Sequence, residues 1–574
     1  MYISSIININ NYRNLAGLSF EFEPTINYLI GENNLGKTNI LELINTLLSI
    51  GKFSEADFNN IEESIIVVFT VAFSQEEIGF FEDYFDISNQ YKVTIRAEQE
   101  SIDDRITYYH NEAGDVEISG RIIKRINTLY YYSQRIPSAE MDFRKNSGSG
   151  RTLHYLIQQS LDSLEVTEKD IIEKTKLDGI VSSINTHISS LNSITGDSIK
   201  AYYDENCEDV ICRILGLGDA DGHSLTSLGD GIQYAFNIVL QIMEAIYKVK
   251  RSRKDDTFID RLIERDNKHY FPIILILDEP EIHQHPYRQR SLIKKILEVF
   301  ENRNQTFINL LKELYGIDGL CGQLFIATHS PNILLNDYQQ FIRIFRTQDN
   351  TLSSVSGRSI QLEDDLYKHL LHNYVYLKEA MFSRAIIFVE GDTENGALPV
   401  FANRLDIDLD SCGIGIIKLD GADSVKRCLD LYNRFGIKCV AILDKDKEPD
   451  YKDIANVFFT NSEDFEADIY DNFNLCDYLH CCSELKILNN WINPLKREGI
   501  INDVPEFLKT VKIPEIDPEK EDNLLKTCRD KQLKALRNNK NANNGAILAR
   551  YVTAIPESFS TVLCAMYNEV KKCL

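Results

Sequence analysis

The sequence predicts an α/β protein built from more than one domain. Three observations carry that prediction. A glycine-rich loop, GENNLGKT (31–38), stands between the apolar run INYLI and the helical run NILELINTLL. A second apolar run, IILIL (273–277), ends abruptly in Asp278 and Glu279. Further on, AIIFV (385–389), IGIIKL (414–419), KCVAIL (438–443) and NVFFT (456–460) are separated by helical stretches, the spacing of parallel strands with helical crossovers.

The chain's 574 residues exceed one hydrophobic core, so roughly two to four domains are expected. A hydrophobic fraction of 43% and a charged fraction of 26% are those of an ordinary globular protein. No run of about 18 or more apolar residues occurs, so no membrane-spanning helix is predicted. MYISSIININNYRNL lacks a basic segment followed by an apolar one and is not read as a signal peptide. The 12 cysteines follow no framework, as expected for free thiols in a reducing cytoplasm. A net charge of −25 excludes a uniformly basic surface, while local patches for nucleic acid stay open.

In chain order, residues 1–150 read as strands and short helices. From about 153 the pattern turns helical, and Leu177, Val181, Ile184, Ile188 and Leu191 recur at alternating spacings of four and three. That stripe is either a helix packed on its own domain or a helical insert, about 153–205, that pairs two chains. Strands and helices alternate again to about 350, a helical connector covers 351–382, and the second α/β region begins at 383. The tail beyond about 500 is charged and mostly helical.

The loop 31–38 fits G-x-x-x-x-G-K-[ST] in the strand–loop–helix context that the motif needs. Its backbone amides, over Gly31, Asn34 and Gly36, can cradle phosphates at a helix N-terminus. Lys37 would reach the β/γ-phosphates of ATP and Thr38 would ligate Mg²⁺. Asp278 can hold the same ion through water, and Glu279 can orient or deprotonate an attacking water. SLTSLGDGIQ places Ser227, Gly229 and Gln233 at a helix start, where a hydroxyl and amides could bind a γ-phosphate, or where a helix simply begins. GQLFIATHSPNIL is a strand ending in Thr328, His329 and Ser330, and His329 could contact the same phosphate. Gln134 reads as an edge-strand residue ahead of a nucleotide-sensing glutamine, and His283 and His285 as loop residues ahead of zinc ligands.

The second region ends its strands in acids. IIFVEGDTEN places Glu390 after the first strand and Glu394 four residues on, and AILDKDKEPD places Asp444 and Asp446 after the third. Crowded carboxylates repel unless protonated or metal-bound, and hard oxygen ligands suit Mg²⁺ or Mn²⁺. TNSEDFEADIY adds Glu463, Asp464, Glu466 and Asp468, with Glu466 the best further ligand and a solvated helix start the competing reading. Cys476, His480, Cys481 and Cys482 do not form a recognised zinc spacing and read as helix thiols.

The order of the first set of motifs resembles the ABC-type ATPase heads of the SMC and RecF group. That resemblance implies a nucleotide sandwiched between two heads, Ser227 and Gly229 of one chain facing Lys37 of another. The region before SLTSLGDGIQ is too short for a long coiled-coil arm, since 25 helical residues span only about 37 Å. The second set, VEGDTE, LDG and DKD, resembles the TOPRIM domain of topoisomerases, primases and related nucleases. Glu390 matches its glutamate, Asp444 and Asp446 its paired aspartates, and Glu394 the extra acid of the nuclease branch.

An ATPase head (1–350) followed by a TOPRIM domain with a helical C-terminal segment (383–574) resembles the OLD (overcoming lysogenisation defect) family, which includes the nuclease subunit of Gabija-type antiphage systems. The resemblance implies a DNA endonuclease with two metal ions about 3.5–4 Å apart. It also implies a catalytic lysine, for which Lys540 in RNNKNANNGAILARYV is the candidate, beside a basic run able to contact DNA. It further implies a homo-oligomer, a dimer or dimer of dimers, with a partner such as a helicase or a reverse transcriptase and its DNA product. The alternative is a repair or sensor ATPase whose TOPRIM domain binds nucleic acid without cutting.

Overall fold

The computed structural model describes residues 1–114, 116–132, 140–141, 148–163, 181–182, 230–251, 258–282, 284–335, 337–361, 378–419 and 424–571. Most of the expected helical insert, with Leu177, Ile184, Ile188 and Leu191, and the middle of the connector lie outside the described residues. The chain forms two compact units. The first comprises Met1–Gly17, Glu23–Asn27 and Thr38–Thr328; the second comprises Leu18–Phe22, Tyr28–Lys37 and His329–Leu574.

Early in the chain come β1 (Tyr2–Asn10), β2 (Ile26–Gly31) and α1 (Lys37–Ser49), the last two flanking the glycine loop as predicted. In the first unit β1 pairs antiparallel with β3 (Ile65–Ala72), β3 with β4 (Lys92–Gln99), and β4 with β5 (Thr107–His110). Val93, Ile95 and Ala97 of β4 are buried at every second position, the pattern of a sheet with one covered face. Three parallel strands follow. They are β6 (Asn127–Tyr131), β7 (Lys268–Asp278) and β8 (Gly319–Ala327), with β7 in the middle and Leu275 opposite both Leu129 and Leu324. Ile273 to Leu277 are all fully buried without alternation, as in a strand covered on both faces.

Helices α2 (Ser149–Ser163) and α3 (Asp230–Arg251) pack through a buried polar network. In it Asn237 donates to Tyr131 Oη at 2.9 Å and to Glu140 at 3.0 Å, and Gln241 donates to Ser149 at 3.1 Å. Helix α4 (Pro286–Phe300) is amphipathic, burying Leu292, Ile293, Ile296 and Leu297.

In the second unit Leu29 of β2 lies opposite Ile342 of the parallel β9 (Phe341–Arg346), which pairs antiparallel with β10 (Leu352–Ser356). Gly31 has φ +140°, and a Cβ there would sit 2.3 Å from the Ile344 carbonyl oxygen, so the loop leaves β2 where a side chain cannot fit.

The predicted second sheet has four parallel strands. They are β11 (Ala385–Val389), β12 (Ile414–Lys418), β13 (Lys438–Leu443) and β14 (Val457–Phe459), in the spatial order β12-β11-β13-β14. Crossovers α5 (Asp392–Arg404) and α6 (Val425–Arg434) connect them. Beyond lie α7 (Phe465–Asp471), α8 (Pro518–Arg537), α9 (Ala542–Tyr551) and α10 (Glu557–Lys571), whose apolar faces join the sheet in a core containing Trp491, Tyr478 and Phe559.

Helices α5 and α9 touch backbone to backbone. A Cβ on Gly396 would meet the Ala542 carbonyl oxygen at 1.8 Å, and one on Gly545 the Thr393 carbonyl oxygen at 1.9 Å. Alanine is intrinsically better than glycine in a helix by about 1 kcal/mol. Overpacking costs about 1–3 kcal/mol, and here the obstacle is backbone that cannot rotate away. Gly545→Ala should therefore lower stability in urea unfolding, and a variant at least as stable as wild type would show that the helices can separate freely.

Candidate functional site

The strand order β12-β11-β13-β14 reverses direction at β11. The chain leaves β11 toward β12 on one side and returns to β13 on the other, and open parallel sheets bind ligands beyond the carboxyl ends of such strands. Glu390 directly follows β11 and Asp444 directly follows β13. Asp444 N–H faces Glu390 Oε2 at 3.5 Å, and Asp444 Oδ1 accepts from Phe465 N–H at 3.1 Å, which ties it to the start of α7.

Glu394 lies in the first turn of α5 and Glu466 in the first turn of α7, at 5% and 1% exposure. Lys540 immediately precedes the cap of α9, where Asn541 accepts from Asn544 N–H, and its Nζ stands 2.8 Å from Glu466 Oε2. The close approach of α9 to α5 is what brings this distant lysine to the carboxylates. Glu466 Oε1 is buried with no hydrogen-bond partner.

The electrostatics follow from burial. Desolvation, with the charges of Asp444 and Glu466, pushes Glu394 up to about 8 against the opposing pull of Lys540. Desolvation and the Glu390 charge push Asp444 up to about 7. Burial alone pulls the Lys540 ammonium down, but its ion pair with Glu466 and the charges of Asp444 and Glu394 hold it above its ordinary value. Lys540 is the cation placed among these acids, and their charge exceeds its own. Among the described residues no three Asp, Glu, His or Cys side chains form a ready-made coordination cluster. A buried carboxylate oxygen without a donor and two carboxyls held partly protonated fit a site that accepts cations.

The expected residues thus divide. Glu390, Glu394, Asp444, Glu466 and Lys540 come together. The Asp446 side chain is 62% exposed and pairs with Lys447 at 3.1 Å. Asp468 is buried for structure, its Oδ2 accepting from Asn461 N–H at 3.0 Å and Ser558 Oγ at 2.9 Å. Asp464 caps α7 and pairs with Arg537 at 2.7 Å. The basic run read as a DNA contact is in part neutralised, since Arg529 pairs with Asp471 and Glu463, and Arg537 with Glu463 as well as Asp464. Cys481 and Cys482 are buried on the helix Leu475–Glu484, and Cys476 is exposed.

The nucleotide motif is laid out as follows. In the first unit Thr38 Oγ1 lies 3.4 and 3.3 Å from the two Asp278 oxygens. Burial and the neighbouring Glu279 push Asp278 up to about 6. Glu279 has φ +49°, a left-handed conformation uncommon for a non-glycine residue, and its N–H donates to the Ala327 carbonyl at 2.9 Å. Glu281, to which no local sequence signal points, accepts from Thr328 Oγ1 at 2.8 Å.

In the second unit Lys37 Nζ donates to the Gly31 and Glu32 carbonyls at 3.0 and 2.6 Å, and Asn34 and Gly36 both adopt positive φ. Glu32 forms a two-pronged pair with Arg384, at 2.7 and 2.6 Å, immediately before β11. His329 opens the long C-terminal stretch of this unit. Gln134, Ser227, Gly229 and His283 lie outside the described residues, and His285 caps α4 through Nδ1, which accepts from Tyr287 N–H at 3.4 Å.

The raised carboxyls set a pH dependence for metal-free protein. An unfolded chain releases these protons above about pH 4, whereas the folded chain keeps them to about pH 7 for Asp444 and about pH 8 for Glu394. The folded state binds more protons within that window, so unfolding free energy falls as pH rises through it. In EDTA the urea midpoint should fall from about pH 5 to about pH 8, and Glu394→Gln should flatten the fall. A variant that tracks wild type would remove Glu394 as its source.

Comparison with known proteins adds the family. A model described as overcoming lysogenization defect protein-like, TOPRIM domain, matches residues 381–446, and an AAA ATPase domain model matches 1–147 and 122–334. RecF, the DNA replication and repair protein of Francisella tularensis subsp. novicida, is 36% identical over 81 residues, 14% of this chain and 23% of that relative's length. The C-terminal region of the Burkholderia pseudomallei OLD protein aligns with 20% identity over 33% of this chain and 99% of that one, at TM-score 0.19. The Smc head domain from Pyrococcus furiosus, bound to the C-terminal domain of ScpA, aligns with 13% identity over 65% of this chain and 99% of that one, at TM-score 0.32. The ATPase matches span 1–334 of 574 residues, and the TOPRIM match covers β11 to β13 with Glu390, Glu394, Asp444 and Asp446. The chain belongs to the AAA ATPase domain family, whose model spans more than half of its length, and carries an OLD-like TOPRIM domain after it.

Proposed function

We propose that this chain is a metal-dependent DNA endonuclease, regulated by nucleotide at its glycine loop and acting in antiphage defence. The observation that carries this reading is the convergence of Glu390, Glu394, Asp444 and Glu466 with Lys540 beyond adjacent parallel strands. These four carboxylates would hold Mg²⁺ or Mn²⁺, with Asp446 joining after it leaves Lys447. When bound, such ions supply Lewis acidity and a water acidic enough to attack near neutral pH.

The protein's own part is electrostatic. Glu394, largely protonated in the absence of an ion, is the group that a cation would ionise. Lys540 would stabilise the charge that gathers on the non-bridging oxygens as the phosphodiester is attacked. Asp464 and Arg537 fix the start of α7 and with it Glu466. The ATPase half would bind Mg·ATP through Lys37, Thr38 and Asp278, with Glu279 beside the attacking water, His329 near the γ-phosphate, and Ser227 and Gly229 supplied by a second copy. Homo-oligomerisation and a helicase or reverse-transcriptase partner belong to the same reading.

Regulation is supported by geometry within the second unit. Glu32 of the phosphate loop grips Arg384, and β11 lies between Arg384 and Glu390. Arg343, 3% exposed on β9, donates to the carbonyls of Met381, Ser383 and Phe435.

Plasmid cleavage in Mg²⁺ or Mn²⁺, with and without ATP, tests the reading. Glu390→Ala should abolish cutting, and Lys540→Ala should lower it by about 10²–10³-fold, the usual loss for one stabiliser of transition-state charge. Both should retain nucleotide binding. Metal-independent cutting, or full activity in Glu390→Ala, would move the chemistry elsewhere. DNA binding without cutting under every condition would favour the sensor ATPase.

Arg384→Ala should leave cutting without nucleotide within a few-fold of wild type and shrink the difference between the plus- and minus-ATP lanes. An unchanged ATP response would separate the phosphate loop from the TOPRIM strand.

A further inference from the structure

Helix α4 presents an unusual surface for a chain of net charge −25. Its inward face is apolar except for Gln289, and its outward face carries Arg288, Arg290, Lys294 and Lys295, all exposed, with no acid before Glu298. Among the described residues no carboxylate pairs with Arg288, Lys294 or Lys295. Arg529 and Arg537 of α8, by contrast, are tied to Glu463, Asp464 and Asp471.

The start of α4 is ordered by stacking. His285 lies parallel to Tyr287 with ring centroids 5.7 Å apart, and the Arg290 guanidinium sits 4.6 Å from the Tyr287 ring centre. Tyr287 is 72% exposed, so the stack holds Arg290 at the surface and does not bury it. The four cations fall within one half of the helix surface at positions spaced by two, four and one residues, over a length of about 10 Å.

We infer that the exposed face of α4 binds the phosphate backbone of duplex nucleic acid. The inference rests on the proposed reading that DNA is the substrate and assigns its grip to the ATPase unit. Phosphates are the ligand this chemistry selects. Arg288, Lys294 and Lys295, without a carboxylate partner among the described residues, would exchange condensed counterions for phosphate contacts, and the Tyr287 ring, already engaged by His285 and Arg290, leaves sequence unread.

The test is fluorescence anisotropy of a labelled duplex of about 30 base pairs with the full chain, in EDTA so that cutting does not intervene. The charge-removing variant Arg288→Gln/Lys294→Gln/Lys295→Gln should bind at least about 10-fold more weakly at moderate salt. Its log–log salt slope should be shallower by about 2.7, at about 0.9 for each phosphate no longer neutralised. The charge-keeping variant Arg288→Lys/Lys294→Arg/Lys295→Arg should bind as wild type, which separates loss of charge from loss of fold. Wild-type affinity and slope in the charge-removing variant would overturn the inference. So would a variant that changes oligomeric mass by light scattering while its DNA affinity stays the same, since the face would then join copies of the chain. Wild type that binds through this face but never cuts would retain the inference and remove the nuclease reading. Cutting by wild type with unaltered binding in the charge-removing variant would do the reverse.

Discussion

The second unit is organised around one electrostatic constraint, the burial of negative charge at the ends of two neighbouring strands. Glu394 and Glu466 are almost wholly removed from water, and Asp444 shares their environment. An uncompensated buried charge costs several kcal/mol, and Lys540 is the cation paired directly with these acids. The balance is met partly by Lys540 and partly by protons retained on Glu394 and Asp444. That incomplete balance leaves capacity for cations, and it explains why helices far apart in sequence must meet at one place. Gly396 and Gly545 give α9 its access to α5, Asn541 caps α9, and Lys540 is thereby delivered to Glu466.

Much of this was legible in the sequence because the relevant signals are local. An apolar run followed at once by an acid, as in AIIFVEGD and KCVAILD, specifies both a parallel strand and a carboxylate at its end. The loop GENNLGKT likewise carries its own context. What the sequence withheld depends on partners more than 50 residues away. Nothing local distinguishes Asp446, which faces solvent and Lys447, from Asp444, which faces Glu390. The pairing of Arg529 and Arg537 with acids around α7 neutralises part of the basic run, which its local sequence does not show. A faint signal for the helix contact was present. Isolated glycines inside two helical patterns, ENGAL and NNGAI, mark sites of close backbone approach, but only the fold reveals that each meets the backbone of the other's helix.

The distribution of positive charge follows from the same constraint. An acidic chain spends its cations first where acids are buried or crowded, as at Lys540, Arg537 and Arg529. Cations left without such partners are then informative, because exposed lysines and arginines in an acidic protein gain little by staying apart from carboxylates. Among the described residues Arg288, Lys294 and Lys295 on the outward face of α4 are one such set, with no acid on that helix before Glu298. Net charge says little about where an acidic protein meets a polyanion, and the local account of pairs says more.

The second unit also sets how a change at the phosphate loop could reach the carboxylates. Glu32 and Arg384 are joined by two short hydrogen bonds, and Arg343 spans from β9 to three carbonyls around β11 and α6. The Arg343 guanidinium is so buried that desolvation draws it down to about 10, so withdrawing its acceptors would leave a charge with neither protein nor water around it. Breaking one side of a buried charged contact costs about 3–5 kcal/mol, more than a typical allosteric coupling of about 1–3 kcal/mol. A displacement carried by β9, the strand paired with β2 beside the phosphate loop, would therefore reach the start of β11 as movement before the Arg343 contacts would break. The strand between Arg384 and Glu390 is five residues of fully buried, doubly paired backbone, with no soft element in which such a movement could be absorbed.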